Sequence, residues 1–267
     1  MTAPVPHDEL LSLATNLAVE AGRMVRDGRA ERGIHATDTK SSSTDMVTEF
    51  DRASEALIVG AIRSARPDDA IIGEEGTDTA GTSGISWLVD PIDGTTNFLY
   101  GLPGYAVSIA ASSAEGTEVG AVYIPATDEL FTAVRGRGAQ LDGRPIRCND
   151  AVDVSVALVA TGFAYDRTKR AAMALRAAAL LPLVRDIRRI GAASADLCHV
   201  AAGRVDVYFE EHLGPWDLAA GELIAREAGC RTGSLDGGDV RPSSVLVAAP
   251  GLFESMRALI ADIDAQR

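Results

Sequence analysis

The chain is poor in the residues that build stapled, nucleic-acid-binding or membrane-spanning proteins. Its 267 residues contain three cysteines, Cys148, Cys198 and Cys230, far apart and without a C-x-x-C. That argues against a disulfide framework or a zinc ribbon and fits a reducing, cytoplasmic setting. Cations are scarce: 25 Lys and Arg stand against 38 Asp and Glu, a net charge of −13. This argues against a nucleic acid or an anionic membrane surface as the main partner. No uncharged apolar run approaches the roughly 18 residues of a membrane span. The start, Met1-Thr2-Ala3-Pro4 leading into a segment with Asp8, Glu9 and Glu20, lacks a basic n-region and an apolar core, so no signal peptide is expected. The four histidines, His7, His35, His199 and His212, show no triad spacing, and His199 reads as a core histidine of an apolar helix. Repeats and low-complexity tracts are also missing. What is present is apolar: 46% hydrophobic residues, enough for one large domain or two lobes with a sizeable core.

Periodicity predicts a helix from Asp8 to about Arg26, a polar loop or flap with a short hairpin over 28–43 that includes Lys40, and a second helix from Thr48 to Arg66, stopped by Pro67. Ala70–Gly73 is a short strand ending in Glu74-Glu75. Runs over 105–111, 118–124 and 130–134, separated by turn residues, give an antiparallel meander, with a further turn at Gly143-Arg144-Pro145. The second half offers a strand over 154–160, a helix over 169–181 ended by Pro182, a strand over 186–190, and an apolar helix entered at Gly191-Ala192-Ala193. A strand over 205–209 closes with Glu210-Glu211. A helix then opens at Trp216-Asp217 behind Pro215, followed by a strand over 245–249 and a helix over 252–263. Strands in runs between helices indicate layered α+β or α/β organisation with largely antiparallel sheets. The expected organisation is one domain over 1–267, in two lobes of about 1–150 and 151–267.

One stretch carries chemistry: Trp87-Leu88-Val89-Asp90-Pro91-Ile92-Asp93-Gly94-Thr95-Thr96-Asn97-Phe98. An apolar strand ends in two acids flanking a proline, which biases Asp90 away from the helical region. Gly94-Thr95-Thr96 suits a helix start, with threonine as the capping residue. Carboxylates bind hard cations and helix starts bind phosphate, so one turn holds both halves of a metal-assisted phosphate site. An Asp-Pro turn before a capped helix reads equally well from these residues alone. Other acids have two readings each. Asp51 is a capping-box partner of Thr48 or a member of a metal site. Glu74 and Glu75 are solvated loop acids or one ligand and its neighbour, since adjacent strand residues face opposite ways. Asp217 answers the helix dipole or binds a cation. Gly191-Ala192-Ala193 is tight packing or a ligand-facing backbone. Together these acids repel unless cations sit among them, and all-oxygen donors select Mg²⁺, Mn²⁺ or Ca²⁺ over zinc.

Gly73-Glu74-Glu75, Trp87-x-Val89-Asp90-Pro91-Ile92-Asp93-Gly94-Thr95-Thr96-Asn97-Phe98 and Trp216-Asp217-x-Ala219-Ala220-Gly221, in that order, resemble the three signatures of the inositol monophosphatase family, within the lithium-sensitive, Mg²⁺-dependent sugar phosphatases. The resemblance covers nearly the whole chain, and Arg188–Ala193 and the segment ending at Glu210 also fit it. It implies an α+β fold, a layered αβαβα sandwich, often assembled as a homodimer. It implies two to three Mg²⁺ ions, with Mn²⁺ as an alternative and Li⁺ as an inhibitor. Glu74, Asp90 and the Ile92 carbonyl would bind one ion, and Asp90, Asp93 and Asp217 a second. Gly94 and Thr95 would hold phosphate. Asp93, Glu210, Asp217 and the Gly191-Ala192-Ala193 backbone would lie against the substrate, with Glu210 and the backbone on its hydroxyls. Thr95, with Asp51 as partner, and Glu74 would orient the attacking water, with Glu75 behind the metals. The reaction implied is hydrolysis of inositol 1-phosphate. Fructose 1,6-bisphosphate, histidinol phosphate and adenosine 3′,5′-bisphosphate are the substrates of related branches. Glu210 favours a polyol, because a carboxylate accepts from hydroxyls and repels a second phosphate. A role as a regulatory partner of the transcription machinery is the alternative of another class.

Overall fold

The computed structural model describes residues 5–32, 36–39 and 46–266. The elements run α1 (His7–Arg32), β1 (Ala36–Thr39), β2 (Met46–Thr48), α2 (Glu49–Ala65), β3 (Ala70–Gly73), β4 (Asp78–Thr79), β5 (Ser86–Asp93), α3 (Thr95–Tyr100) and β6 (Ala106–Ser113). There follow β7 (Gly116–Ile124), β8 (Glu129–Val134), β9 (Ala139–Leu141), β10 (Arg144–Ile146), β11 (Leu158–Thr161), α4 (Arg167–Leu180), β12 (Asp186–Arg188) and α5 (Ala193–Ala201). The chain closes with β13 (Val207–Glu210), α6 (Pro215–Glu227), β14 (Arg231–Gly233), β15 (Val245–Ala248) and α7 (Pro250–Ala265).

Two large sheets organise most of these elements, beside the two-stranded pair β1–β2. The larger has the strand order β10-β9-β8-β7-β6-β5-β3-β4, antiparallel except where β3 runs parallel to β5. The smaller has the order β12-β11-β13-β15-β14, with β11 parallel to both neighbours. Helices α1 and α2 cover one face of the large sheet, and α6 packs on β6 and β7 of the other. Helix α5 lies against α6 and β13, and α7 packs on β15 and α4. The layers are therefore helix, sheet, helix, sheet, helix. The apolar side chains of α5, α6 and both sheets form one core cluster, and α1, α2 and the far face of the large sheet form another.

Several expectations change in detail. Helix α1 runs past Arg26 through Gly28, because Arg29 Nε donates to the Phe98 carbonyl oxygen at 2.8 Å and Val25 is buried beside Phe98. The hairpin expected within 28–43 is displaced along the chain, since β1 pairs antiparallel with β2 at 46–48, while Lys40 and the serine triplet lie outside the described residues. Gly143-Arg144-Pro145 is more than a turn: residues 144–146 form the sheet-edge strand β10, where a proline costs no ladder hydrogen bond. The strand expected over 154–160 starts late, because the Asp153 carboxylate accepts the Ser155 N–H and winds Val154–Val156 into a 3₁₀ turn. Helix α6 sits so close to β7 that a Cβ on Gly120 would stand 3.0 Å from both the Cα and the carbonyl oxygen of Ala220. Gly120→Val should thus push α6 off the sheet and lower unfolding stability by about 1–3 kcal/mol in urea denaturation. An unchanged midpoint would show that the contact relaxes freely.

Candidate active site

The large sheet positions the first acids. Asp90 pairs with Ser108 and Asp93 with Ala106, so β5 carries one residue more than β6 across this interval. The strand therefore continues to Asp93 through a bulge at Pro91-Ile92, where the sequence suggested a turn leaving the strand after Val89. On a regular strand, residues three apart face opposite ways; the bulge brings both carboxylates to one side. Pro91 needs no ladder partner for nitrogen, and its carbonyl accepts from the buried Ser54 hydroxyl at 3.1 Å. The Ile92 N–H donates to Asp90 Oδ1 at 3.0 Å.

Gly94 follows with φ of 86°, and a Cβ there would lie 2.8 Å from the Gly104 carbonyl oxygen. Only glycine fits this turn. It stands at the head of α3 with no side-chain cap, so Thr95 is free of the capping task the sequence suggested for threonine. The Thr95 hydroxyl lies 3.0 Å from Asp51 Oδ1 and 3.0 Å from the Ile92 carbonyl oxygen. Asp51 meets its capping reading: Oδ2 accepts the Thr48 N–H at 2.7 Å in a capping box, while Oδ1 faces the Thr95 hydroxyl and the carboxylate stands outside the Glu74, Asp90 and Asp217 trio.

Glu74 enters from the end of β3, its N–H donating to the Val89 carbonyl oxygen at 3.1 Å. Asp217 enters from the first turn of α6, where its Oδ2 accepts the Gly214 N–H at 2.7 Å. Carboxylate oxygens of Glu74, Asp90 and Asp217 all lie within 4.8 Å of one another. They lie at a cleft of about 250 Å³ also lined by Asp93, Gly94, Thr95 and Glu210. Asp93 stands apart from the trio in its bonding: Ala193 N–H, Ser194 N–H and the Ser194 hydroxyl donate to it at 3.2, 2.6 and 2.5 Å. Gly191 and Ala193 line the cleft, whereas Ala192 is buried behind them. Glu75 does not line it, as strand alternation predicts.

Little in the sequence announces the supports. Buried Glu55 on α2 accepts from Glu75 N–H at 2.7 Å, Thr77 N–H at 3.2 Å and the Thr77 hydroxyl at 2.6 Å, clamping the turn that carries Glu74. Asn97 ties α3 to the second half by donating to the Ile190 carbonyl oxygen at 2.7 Å. Asp196 lies buried behind the cleft with one carboxyl oxygen unpartnered. His212, at the mouth, holds a φ of 68°, unusual for a residue with a Cβ. Glu55 and Asp196 each sit on the apolar face of a helix, and that misplaced charge is the one signal the sequence offers.

Burial, first of all, and then neighbouring acids push Asp90, Asp93, Asp217 and Glu210 toward their neutral forms. Asp90 is raised by burial and by Glu74, and Asp217 by burial, Asp93 and Glu74. Burial lifts Asp93 to about 6 although its Ser194 hydrogen bonds pull it down, and lifts Glu210 to about 7 against the Tyr208 hydroxyl that donates to it. With folded values above the unfolded ones, the folded form binds more protons across the interval. Stability is then fullest below the ordinary values of 3.8 and 4.5 and is lost as pH rises through about 6 and about 7. In EDTA, calorimetric Tm should fall between about pH 5 and about pH 8, and Mg²⁺ should restore more of it at the upper end. A Tm that rises with pH in EDTA would contradict this electrostatic account.

Residues 7–265 match the model of the inositol monophosphatase family. An inositol-1-monophosphatase of Mycobacterium leprae is 41% identical over 276 residues, covering 95% of this chain and 94% of that protein. A Pasteurella multocida protein named Nus factor SuhB is 42% identical over 253 residues, covering 92% and 94%. The crystal structure of extragenic suppressor protein suhB from Bartonella henselae superimposes with a TM-score of 0.89 at 33% identity, covering 94% of this chain and 98% of that one. The layered α+β sandwich is the architecture they share. From this cleft and these likenesses, the chain belongs to the inositol monophosphatase family and is a phosphatase of small phosphate esters.

Proposed function

We propose that the protein hydrolyses inositol 1-phosphate to inositol and inorganic phosphate with Mg²⁺ at this cleft. One observation carries the reading: three carboxylates converge within 4.8 Å beside the Gly94-Thr95 turn. The donors are all oxygen, and they are acids held together against repulsion. Such a set fits hard divalent cations, Mg²⁺ first and Mn²⁺ as the alternative. Glu74, Asp90, Asp93, Asp217 and the Ile92 carbonyl would hold two to three ions. When bound, these ions supply positive charge to the phosphoryl oxygens and acidify water.

The chain's own groups do the rest. Backbone N–H groups of Gly94 and Thr95 receive the phosphate. The Thr95 hydroxyl, 3.0 Å from Asp51 Oδ1, donates its proton to that carboxylate. Its lone pairs then accept from the attacking water, which Glu74 holds from the other side. Glu75 supports this arrangement from behind. Glu210, lying against Gly162 and bonded to Tyr208 at 2.7 Å, accepts from the polyol hydroxyls. Ser194 and the Ala193 N–H fix Asp93 so that the Gly191-Ala192-Ala193 wall and the carboxylate move as one unit against the substrate.

A named relative supports the substrate: the Mycobacterium leprae protein is an inositol-1-monophosphatase. Assembly as a homodimer in the cytoplasm and inhibition by Li⁺ belong to the same reading. A second reading, contact with the transcription machinery, is favoured by the relative named Nus factor SuhB. Capture of RNA polymerase by both wild type and Asp93→Asn would support that role as independent of catalysis.

The primary test is phosphate release from a panel of esters, with Mg²⁺ and with EDTA. Inositol 1-phosphate should lead the panel, EDTA should stop turnover, and Li⁺ should inhibit. Preference for a bisphosphate would overturn the substrate, and full activity in EDTA the metal reading. Asp93→Asn should abolish turnover while leaving the fold. Thr95→Val should lower kcat by about 100-fold while Mg²⁺ binding persists. A Thr95→Val enzyme with normal kcat would remove the hydroxyl from the mechanism.

A further inference from the structure

Helix α4 buries Met173, Arg176 and Leu180 along one stripe, so a guanidinium stands where the spacing calls for an apolar side chain. The Arg176 side chain is 10% exposed and is held by two acids. Its Nε and Nη2 fork onto Asp264, near the end of α7, at 2.9 and 2.7 Å from the two carboxylate oxygens. Its Nη1 donates to Glu211 Oε2 at 2.5 Å. Glu211 directly follows Glu210, and both line the cleft, whereas Arg176 does not. His212 comes next with its φ of 68°, and then the Leu213 N–H donates to the Pro242 carbonyl oxygen at 2.9 Å. A left-handed residue with a Cβ persists where its surroundings over-determine it. Here the Arg176–Glu211 bond and the Leu213 bond grip the turn from both sides. Glu210 itself lies so close on Gly162 that no Cβ would fit there, and the Tyr208 hydroxyl donates to its carboxylate.

We propose that Arg176 is a positioning residue for substrate selectivity: it fixes Glu211 and, through that residue, holds Glu210 and the His212 turn against the hydroxyls of the substrate. This rests on the reading of Glu210 as the acceptor of polyol hydroxyls. Stability alone does not call for a buried cation here. A guanidinium and two acids lose hydration on burial, and a well-packed apolar residue commonly serves a helix face as well. What the planar fork supplies is direction: with one edge locked on Asp264, Nη1 meets Glu211 at one place only. A carboxylate that accepts from hydroxyls depends on such placement, because a hydrogen bond weakens steeply with misalignment. The same helix opens at the mouth of the cleft, where Asp166 and Lys169 line it and Asp166 Oδ1 accepts the Lys169 N–H at 2.9 Å. Helix α4 thus sets two parts of one wall. The acids Glu74, Asp90 and Asp217 are carried by other elements, the end of β3, β5 and α6. Loss of Arg176 therefore acts on hydroxyl recognition and spares the cleavage of the phosphate ester.

The test is steady-state kinetics of the full chain with Mg²⁺, comparing inositol 1-phosphate with p-nitrophenyl phosphate, an ester without polyol hydroxyls. In Arg176→Met, KM for inositol 1-phosphate should rise by about 10-fold with kcat kept, while p-nitrophenyl phosphate turnover stays unchanged. Asp264→Asn, outside the cleft, should move the ratio of the two substrates in the same direction. Arg176→Lys should recover part of it, since an ammonium meets one carboxylate but lacks the fork. Glu210→Gln should lose the selectivity, and adding Arg176→Met to it should cost nothing more. Equal loss on both substrates in Arg176→Met, or additive loss in the double variant, would make the residue a structural strut and overturn the proposal. Selectivity kept in both Arg176→Met and Asp264→Asn but lost in Glu210→Gln overturns the proposal alone. Selectivity kept in Glu210→Gln overturns the hydroxyl reading and the proposal with it. Where Arg176→Met folds poorly, Asp264→Asn decides, because that side chain is 35% exposed.

Discussion

Repulsion among buried acids is the constraint the structure is arranged to hold. Glu74, Asp90 and Asp217 come from three separate elements and would drift apart if free, yet their oxygens lie within 4.8 Å. What holds each is backbone. Asp90 and Asp217 are pinned by N–H groups within their own turns, and Glu74 is held by the β3–β5 pairing and by the Glu55 clamp below. An acid removed from water without a counter-charge favours its neutral form, so the cleft holds protons. On the proposed reading, a hard cation bound there would recover the stability that the fold forgoes. This is how a site of low intrinsic stability persists in a well-packed layered fold.

The bulge in β5 translates that constraint into geometry. Without the extra residue at Pro91-Ile92, Asp93 would face away from Asp90, and the cleft would lose its link to α5. With it, one strand supplies a carboxylate to the trio and another to Ser194, joining the wall from the large sheet to the wall from the second half of the chain. Gly94 then turns the chain so that Thr95 returns over Asp51. Each step is local, and the first two are encoded by residues whose backbone preference is strong, proline and glycine.

That strength explains what could be read from the sequence. Long periodic helices, the meander and the acid-rich turns were legible because period and turn chemistry act locally. The acids Glu74, Asp90, Asp93 and Asp217 were legible because they lie in signatures of unusual composition. The cap formed by Asp51 was legible because it is local, whereas the approach of its other oxygen to Thr95 is tertiary and has no local mark. Glu55 and Ser194 were not legible, because each acts across a tertiary approach that no local pattern marks. The short strands over 139–141, 144–146 and 231–233 carry no local signal for the related reason that pairing, rather than propensity, makes them strands.

The account rests on the claim that the crowded acids are a cation centre kept in check by protons. Titrating Mg²⁺ into the chelated protein by calorimetry at about pH 6.5, in two buffers of different ionisation enthalpy, measures this directly. The predicted result is saturable binding with net proton release, lost or greatly weakened in Asp90→Asn. Absence of binding, or binding with no proton released, would contradict it.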